Sequence, residues 1–198
     1  MLGLINQAIE RFARDTYGDA LWTEVAGRAG LGSQRFEAML TYDPALAGRV
    51  LDALALVLAR PRDEVLEDIG TYLVTAPRSD ALRRLLRFSG TGFLDFLYSL
   101  DDLPARARLA VPELTLPQLE LREHTAQSYS LMVRSKTRAG LRFGHLVLGL
   151  LRAMADDYGA LVLLEHKGAS GTKEVLGITL LDMAFTQARD FDLGARPE

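Results

Sequence analysis

The spacing of apolar residues changes near Pro112, and this change constrains the fold more than any other feature of the sequence. Before Pro112, apolar side chains recur every three or four residues, which is the period of an amphipathic helix. After it come two pairs of short apolar runs, with one further helical pattern between the pairs. The sequence therefore predicts an α+β fold, with a helical N-terminal lobe followed by a four-stranded antiparallel sheet of two hairpins and an inserted helix.

Glycine, proline and capping residues divide this pattern into separate elements. The predicted helices cover residues 4–17, 20–29, 36–39, 45–58, 63–75, 80–88, 93–102 and 141–158. Pro104 is expected to stop or kink the helix over 93–102, because proline lacks the N–H that a helix interior needs. The predicted strands cover residues 118–124, 128–134, 160–166 and 175–181.

Length and composition indicate one globular domain. The chain has 198 residues, of which 48% are hydrophobic and 25% charged, a balance that supplies a core without disorder. We expect a domain over residues 1–189, divided into a helical lobe over 1–62 and a helix-plus-sheet lobe over 63–189, with a tail over 190–198. No apolar run has the length of a bilayer span and the N-terminus lacks an export signal, which predicts a cytoplasmic protein without a membrane partner.

Charge and residue usage exclude several kinds of function. The net charge is -3 and the basic residues are spread along the chain, so no nucleic acid partner is expected. The chain has no cysteine, which excludes disulfides, thiolate metal sites and cysteine-ligated heme. It has neither a glycine-rich phosphate loop nor a serine nucleophile elbow, and no two of its three histidines share one helix at metal-ligand spacing. We therefore expect a protein that is not an enzyme.

The segment from Asp95 to Arg106 carries the most specific motif. It ends in Leu100-Asp101-Asp102-Leu103-Pro104-Ala105-Arg106, and Pro112-Glu113-Leu114 follows. This resembles the heme nitric oxide/oxygen binding (H-NOX) family, in which a helix ends in Leu-Asp-x-Leu-His-Ala-Arg and a Pro-Glu-Leu turn leads into the sheet. Residues 1–10, 66–72 and 149–155 also resemble that family, so the resemblance extends over residues 1–181.

The resemblance implies a heme between the two lobes, whose relative angle changes when nitric oxide binds. It places Ile5, Ile9 and Pro117 where the family packs its macrocycle, although ordinary core residues would be buried in the same way. The histidine that normally holds the iron is replaced by Pro104, which has no atom that can donate to iron. The resemblance also implies a separate signalling partner, such as a cyclic dinucleotide enzyme or a histidine kinase, since the sequence shows no output domain.

The family's second motif, Tyr-x-Ser-x-Arg, binds the heme propionates and is altered in this chain. Val133 stands at the tyrosine position, and the spacing from Ser135 to Arg138 is one residue too long. Arg134, Lys136 and Arg138 could still receive carboxylates, because guanidinium and ammonium groups pair with them. The alternative interpretation of these cations is a solvated strand end.

The resemblance also assigns the wall on the far side of the macrocycle. Leu146 stands where oxygen-binding relatives carry a tyrosine, and Leu150 is placed in the same pocket. An apolar wall favours nitric oxide or an organic ligand, because bound oxygen needs a hydrogen-bond donor. His145 is a candidate metal ligand from this side, or else a surface residue of the helix.

Two hypotheses remain from the sequence. In the first, the protein is a sensor that holds heme or another tetrapyrrole by shape and apolar burial, with a substitute axial ligand or none. In the second, it is a heme-free interaction module that binds a partner protein or an apolar small molecule. Both inherit the same fold, so family resemblance does not separate them. The first is the function predicted from the sequence, without iron coordination through residue 104, and the second is its alternative.

Overall fold

The computed structural model describes residues 3–31, 35–37, 39–77, 80–87, 90–112, 114–135 and 142–182. Eight helices and four strands lie within these ranges. The helices are α1 (Gly3–Tyr17), α2 (Asp19–Arg28), α3 (Pro44–Leu58), α4 (Arg62–Thr75), α5 (Asp80–Arg87), α6 (Phe93–Tyr98), α7 (Leu103–Ala110) and α8 (Gly144–Tyr158). The strands are β1 (Gln118–Thr125), β2 (Ser128–Arg134), β3 (Leu161–Ser170) and β4 (Lys173–Asp182).

The four strands form one antiparallel sheet in the order β1-β2-β4-β3. Each hairpin supplies two neighbours, and β2 pairs with β4 in the middle. Because successive strand residues point to opposite faces, every second side chain of β2 enters the core. Tyr129, Leu131 and Val133 are buried in this way, opposite Leu176 and Ile178 of β4. The predicted fold class is therefore confirmed, with α8 inserted between the hairpins.

The core consists of two clusters of buried apolar residues. The first joins α1, α2, α3 and the beginning of α4, with Phe12, Trp22 and Leu54 among its members. The second joins the inner face of the sheet to α6 and α8, with Phe96 and Met154 at its centre. Helices α4 and α8 pack closely along the junction between the two clusters. Among the described helices, none combines the length and apolar character that crossing a bilayer requires.

Two of the predicted helices differ from the structure. The residues described between 35 and 39 are not helical. The N–H of Phe36 donates to the carboxylate of Glu10, 3.1 Å away, and this bond holds the segment against α1. The helix predicted over 93–102 ends at Tyr98, and a separate helix, α7, begins at Leu103.

Pro104 therefore lies in the first turn of a helix, where the prediction placed it at the end of one. Proline is favoured at this position, because the first backbone N–H groups of a helix have no partner within it. The second hairpin is also longer than predicted, since β3 continues to Ser170 and the turn falls at Gly171 and Thr172.

Candidate functional site

An apolar cavity of about 290 Å³ lies among α1, α4, α5, α7, α8 and the beginning of β1. The resemblance placed six residues at a shared pocket, and the structure brings all six together in the lining of this cavity. They are Ile5, Ile9, Pro104, Pro117, Leu146 and Leu150. The rest of the lining consists of leucine, isoleucine, valine and alanine side chains and one aromatic ring, Phe143.

Among the described residues, no side chain that lines the cavity has an atom that can bind a metal. Each of the side chains around the cavity is a hydrocarbon, so none supplies a nitrogen, oxygen or sulfur donor. Iron in a heme takes its axial ligand from histidine, cysteinate, methionine or tyrosine. The residues around the cavity therefore do not fit a heme whose iron is bound by the protein.

The position of Pro104 in the wall is fixed by hydrogen bonds around the beginning of α7. The guanidinium of Arg106 donates to the carbonyl oxygen of Ser99 at 2.8 Å and to that of Leu85 at 3.3 Å. The Nε of Arg108 donates to the carbonyl oxygen of Pro104 itself, at 3.1 Å. These contacts tie α7 to α5 and to the end of α6, so that the pyrrolidine ring is buried against the cavity.

A polar groove of about 310 Å³ lies on the other side of Pro104. It is lined by Asp101, Pro104, Ala105, Arg108, Gln118, Leu119, Glu120, Met132 and Arg134. Pro104 and Leu119 line both the groove and the apolar cavity. Arg134 belongs to the groove and not to the cavity lining, because it follows Val133 on β2 and so points to the opposite face of the sheet.

Of the other polar residues assigned to the altered propionate motif, only Ser135 belongs to the described part of the chain. The backbone N–H of Ser135 donates to the carbonyl oxygen of Thr172 at 2.9 Å, which places this residue beside the turn of the second hairpin. Lys136 and Arg138 lie outside the described residues.

His145 belongs to a polar cluster beside the cavity rather than to the lining. Its ring stacks on that of His166, with centroids 4.4 Å apart, and its Nδ1 lies 3.0 Å from a carboxylate oxygen of Glu67. The Nε2 of His166 lies 3.1 Å from Glu174, and Arg152 pairs with Glu67 at 3.0 Å. Within the described ranges, no group of three or more histidine or acidic side chains is placed to hold a metal ion.

Glu174 is the residue of this cluster that sequence analysis missed. Its side chain is almost fully buried, and it accepts hydrogen bonds from the N–H groups of Phe143 and Gly144 at the beginning of α8. A glutamate at the beginning of a strand has no distinctive sequence signal. Only Gly144 offered a hint, because a Cβ atom there would lie 2.5 Å from Glu174 and 2.8 Å from His166.

The match to a known family decides the identity of the fold and the cavity. Residues 2–166 match the family model described as Haem-NO-binding. The chain belongs to this family. The H-NOX resemblance seen in the sequence is thereby confirmed, and H-NOX domains are sensor domains rather than catalytic ones.

Individual relatives agree with this assignment. The chain is 28% identical over 157 residues to soluble guanylate cyclase gcy-31 of Caenorhabditis elegans, covering 79% of this chain and 22% of that protein. It thus spans about a fifth of the length of that relative. An H-NOX protein from S. oneidensis, in the Fe(II)NO ligation state, superposes with a TM-score of 0.76 at 17% identity, covering 92% of this chain and all of that one. The Fe(II) unliganded H-NOX protein from K. algicida has a TM-score of 0.75 at 19% identity, covering 92% of this chain and 97% of its own.

Proposed function

We propose that this H-NOX domain is a sensor that binds an apolar molecule in its cavity, without a bond from residue 104 to iron. One observation carries the proposal. The structure has a cavity whose described lining consists of hydrocarbon side chains, and among them is Pro104, which the sequence resemblance places at the family's ligand position. A ligand in such a space is held by removal of apolar surface from water, at about 25 cal/mol per Å².

Of the two hypotheses drawn from the sequence, this proposal takes the second, a heme-free module, and specifies an apolar small molecule as its ligand. A heme or another tetrapyrrole would have only apolar burial to hold it in this space, because the lining offers the iron no ligand. Nitric oxide sensing through an iron bound in the family's usual way is therefore not part of the proposed function.

The placement of the cavity supports a signalling role. Ile9 belongs to the first core cluster, whereas Leu103 and Leu150 belong to the second, and all three line the cavity. A ligand that fills the space contacts both clusters and so biases their relative position. We propose that a separate signalling protein in the cytoplasm, such as a cyclic dinucleotide enzyme or a histidine kinase, detects this change.

Nile red, a neutral apolar dye whose fluorescence increases when it leaves water, tests the cavity directly. We expect saturable binding with one dye per chain. Leu146→Trp places a larger ring in the cavity and should weaken the binding about fivefold or more, since overfilling a packed space costs about 1–3 kcal/mol. Leu109→Trp is the matched control, because Leu109 is 87% exposed on α7 and does not line the cavity. Equal dye binding by the two variants, both folded by circular dichroism, would contradict the proposal.

Adding hemin tests the role of residue 104. We expect the native protein to give no Soret band of a histidine-bound heme, because the lining has no donor atom. Pro104→His should create that band, since the new imidazole would begin at the cavity wall in the first turn of α7. Ala105→His is the control, as Ala105 is exposed and lines the groove instead. A histidine-type band in the native protein, or the same band in both variants, would count against the assignment.

A further inference from the structure

The groove beside the cavity is built to receive an anion. It contains two guanidinium groups, those of Arg108 and Arg134, and two carboxylates, those of Asp101 and Glu120. Both carboxylates already have partners: Asp101 accepts from the backbone N–H of Leu121 at 2.8 Å, and Glu120 pairs with Arg122 at 2.7 Å. One oxygen of each carboxylate is therefore already engaged outside the two guanidinium groups.

Most N–H donors of the two guanidinium groups have no hydrogen-bond partner among the described residues. Arg108 donates its Nε to the carbonyl oxygen of Pro104, and its terminal nitrogens make no hydrogen bond to another described residue. The side chain of Arg134 likewise has no hydrogen bond or ion pair with any described residue. The N–H donors of a guanidinium lie on a planar fork that pairs with carboxylate or phosphate oxygens, so the hydrogen-bonding capacity left in the groove suits an oxyanion such as a carboxylate.

The groove and the apolar cavity are neighbours, because Pro104 and Leu119 line both. A molecule with an apolar body and one anionic end could therefore occupy both spaces, passing between these two side chains. Neither residue has a polar side-chain atom that the apolar body would have to desolvate. The boundary between the cavity and the groove at Pro104 and Leu119 is thus formed by hydrocarbon side chains, which a ligand that contacts both spaces would have to move aside.

The surface of the cavity suits an aliphatic body and does not require a ring system. Apart from Phe143, its wall consists of aliphatic side chains, which offer no further aromatic face for stacking. A flexible hydrocarbon chain adapts to such a surface and gains free energy simply in proportion to the area buried.

We infer that the ligand of this domain is an aliphatic carboxylate, with its chain in the apolar cavity and its carboxylate between Arg108 and Arg134. This inference rests on the proposed function, because it assigns a ligand class to the same cavity. It requires recognition of both parts of the molecule, so that neither chain length nor charge alone accounts for the affinity.

The experiment compares dodecanoate with dodecan-1-ol, both below their aggregation limits, as competitors of Nile red bound to the full chain. The two competitors have the same chain and differ in charge. We expect dodecanoate to bind about tenfold more tightly than dodecan-1-ol, because charge-assisted hydrogen bonds are stronger than those between neutral groups. The double variant Arg108→Gln and Arg134→Gln should bind the two competitors equally. The comparison is made within the variant, because loss of the bond from Arg108 to the carbonyl oxygen of Pro104 affects the binding of both competitors through the cavity wall.

The matched control is the double variant Arg28→Gln and Arg49→Gln, which makes the same change in net charge on α2 and α3, away from the groove. It should retain the preference for dodecanoate. If the native protein binds the alcohol as tightly as the acid, or if both double variants behave alike, the carboxylate assignment is wrong while the cavity proposal survives. If neither competitor displaces the dye, or the dye itself does not bind, the proposed function fails together with the inference.

Discussion

Gly149→Ala is expected to lower the free energy of unfolding by about 3 kcal/mol, although alanine is the better helix former. Gly149 lies where α8 crosses α4, and a Cβ atom there would be 2.7 Å from the carbonyl carbon of Glu67. The atoms it meets belong to the backbone of α4, so no side chain can rotate away. At the same crossing, a Cβ atom on Gly70 would lie 2.9 Å from the backbone nitrogen of Leu150. The two helices must therefore separate, and we expect the melting temperature to fall by about 6–12 °C.

Gly27→Ala is the matched control for this crossing. Gly27 lies in α2, and a Cβ atom there would have no heavy atom within 4 Å. Only helix propensity then acts, so this variant should be more stable than the native protein by up to about 1 kcal/mol. Urea denaturation should show that Gly149→Ala has a lower free energy of unfolding than the native protein and that Gly27→Ala has a higher one. A Gly149→Ala protein as stable as native would mean that α4 and α8 are not in backbone contact.

The spacing of apolar residues along the sequence was enough to predict most of the architecture. The alternation of buried and half-exposed residues along β2, with Leu131 and Val133 inside, is the pattern on which the predicted hairpin depends. Pro104 misled the helix assignment, because a proline ends one helix and begins another with equal ease. The helix ends because tighter turns follow Tyr98, in which the N–H of Leu100 bonds to the carbonyl oxygen of Leu97 and that of Leu103 to the carbonyl oxygen of Leu100. Such local hydrogen bonds leave no periodic signal in the sequence.

The candidate site was predictable only where the family resemblance indicated which residues lie together in space. Six apolar residues distant in sequence were assigned to one pocket through the family, and the structure brings them together. Spacing alone does not distinguish Ile5 or Leu150 from any other core residue. The groove was not anticipated, since Arg108 and Arg134 are 26 positions apart and meet only because α7 lies beside the sheet. Long-range packing of this kind depends on the whole fold.

The carboxylate of Glu174 on β4 joins this strand to α8 and β3. Few other groups could replace its contacts. One carboxylate oxygen accepts from the N–H groups of Phe143 and Gly144, at 3.1 and 3.0 Å, where α8 begins. The other lies 3.1 Å from the Nε2 of His166 on β3. A negative group at a helix N-terminus is stabilising, because it completes backbone donors that have no partner inside the helix.

Glu174→Ala should therefore destabilise the protein by about 3 kcal/mol, since it leaves these N–H groups and the ring of His166 buried without their acceptor. Glu174→Gln keeps one acceptor oxygen of similar shape and should cost less, about 1–2 kcal/mol. Glu165→Ala on β3 is the control: its side chain is 65% exposed and its nearest cation, Lys167, is 3.9 Å away, so urea denaturation should show little change. The same hydrogen bonds fix the beginning of α8, one turn before Leu146 and Leu150, so Glu174→Ala should also weaken Nile red binding. A Glu174→Ala protein that matches Glu165→Ala in both stability and dye binding would show that the beginning of α8 does not depend on this carboxylate.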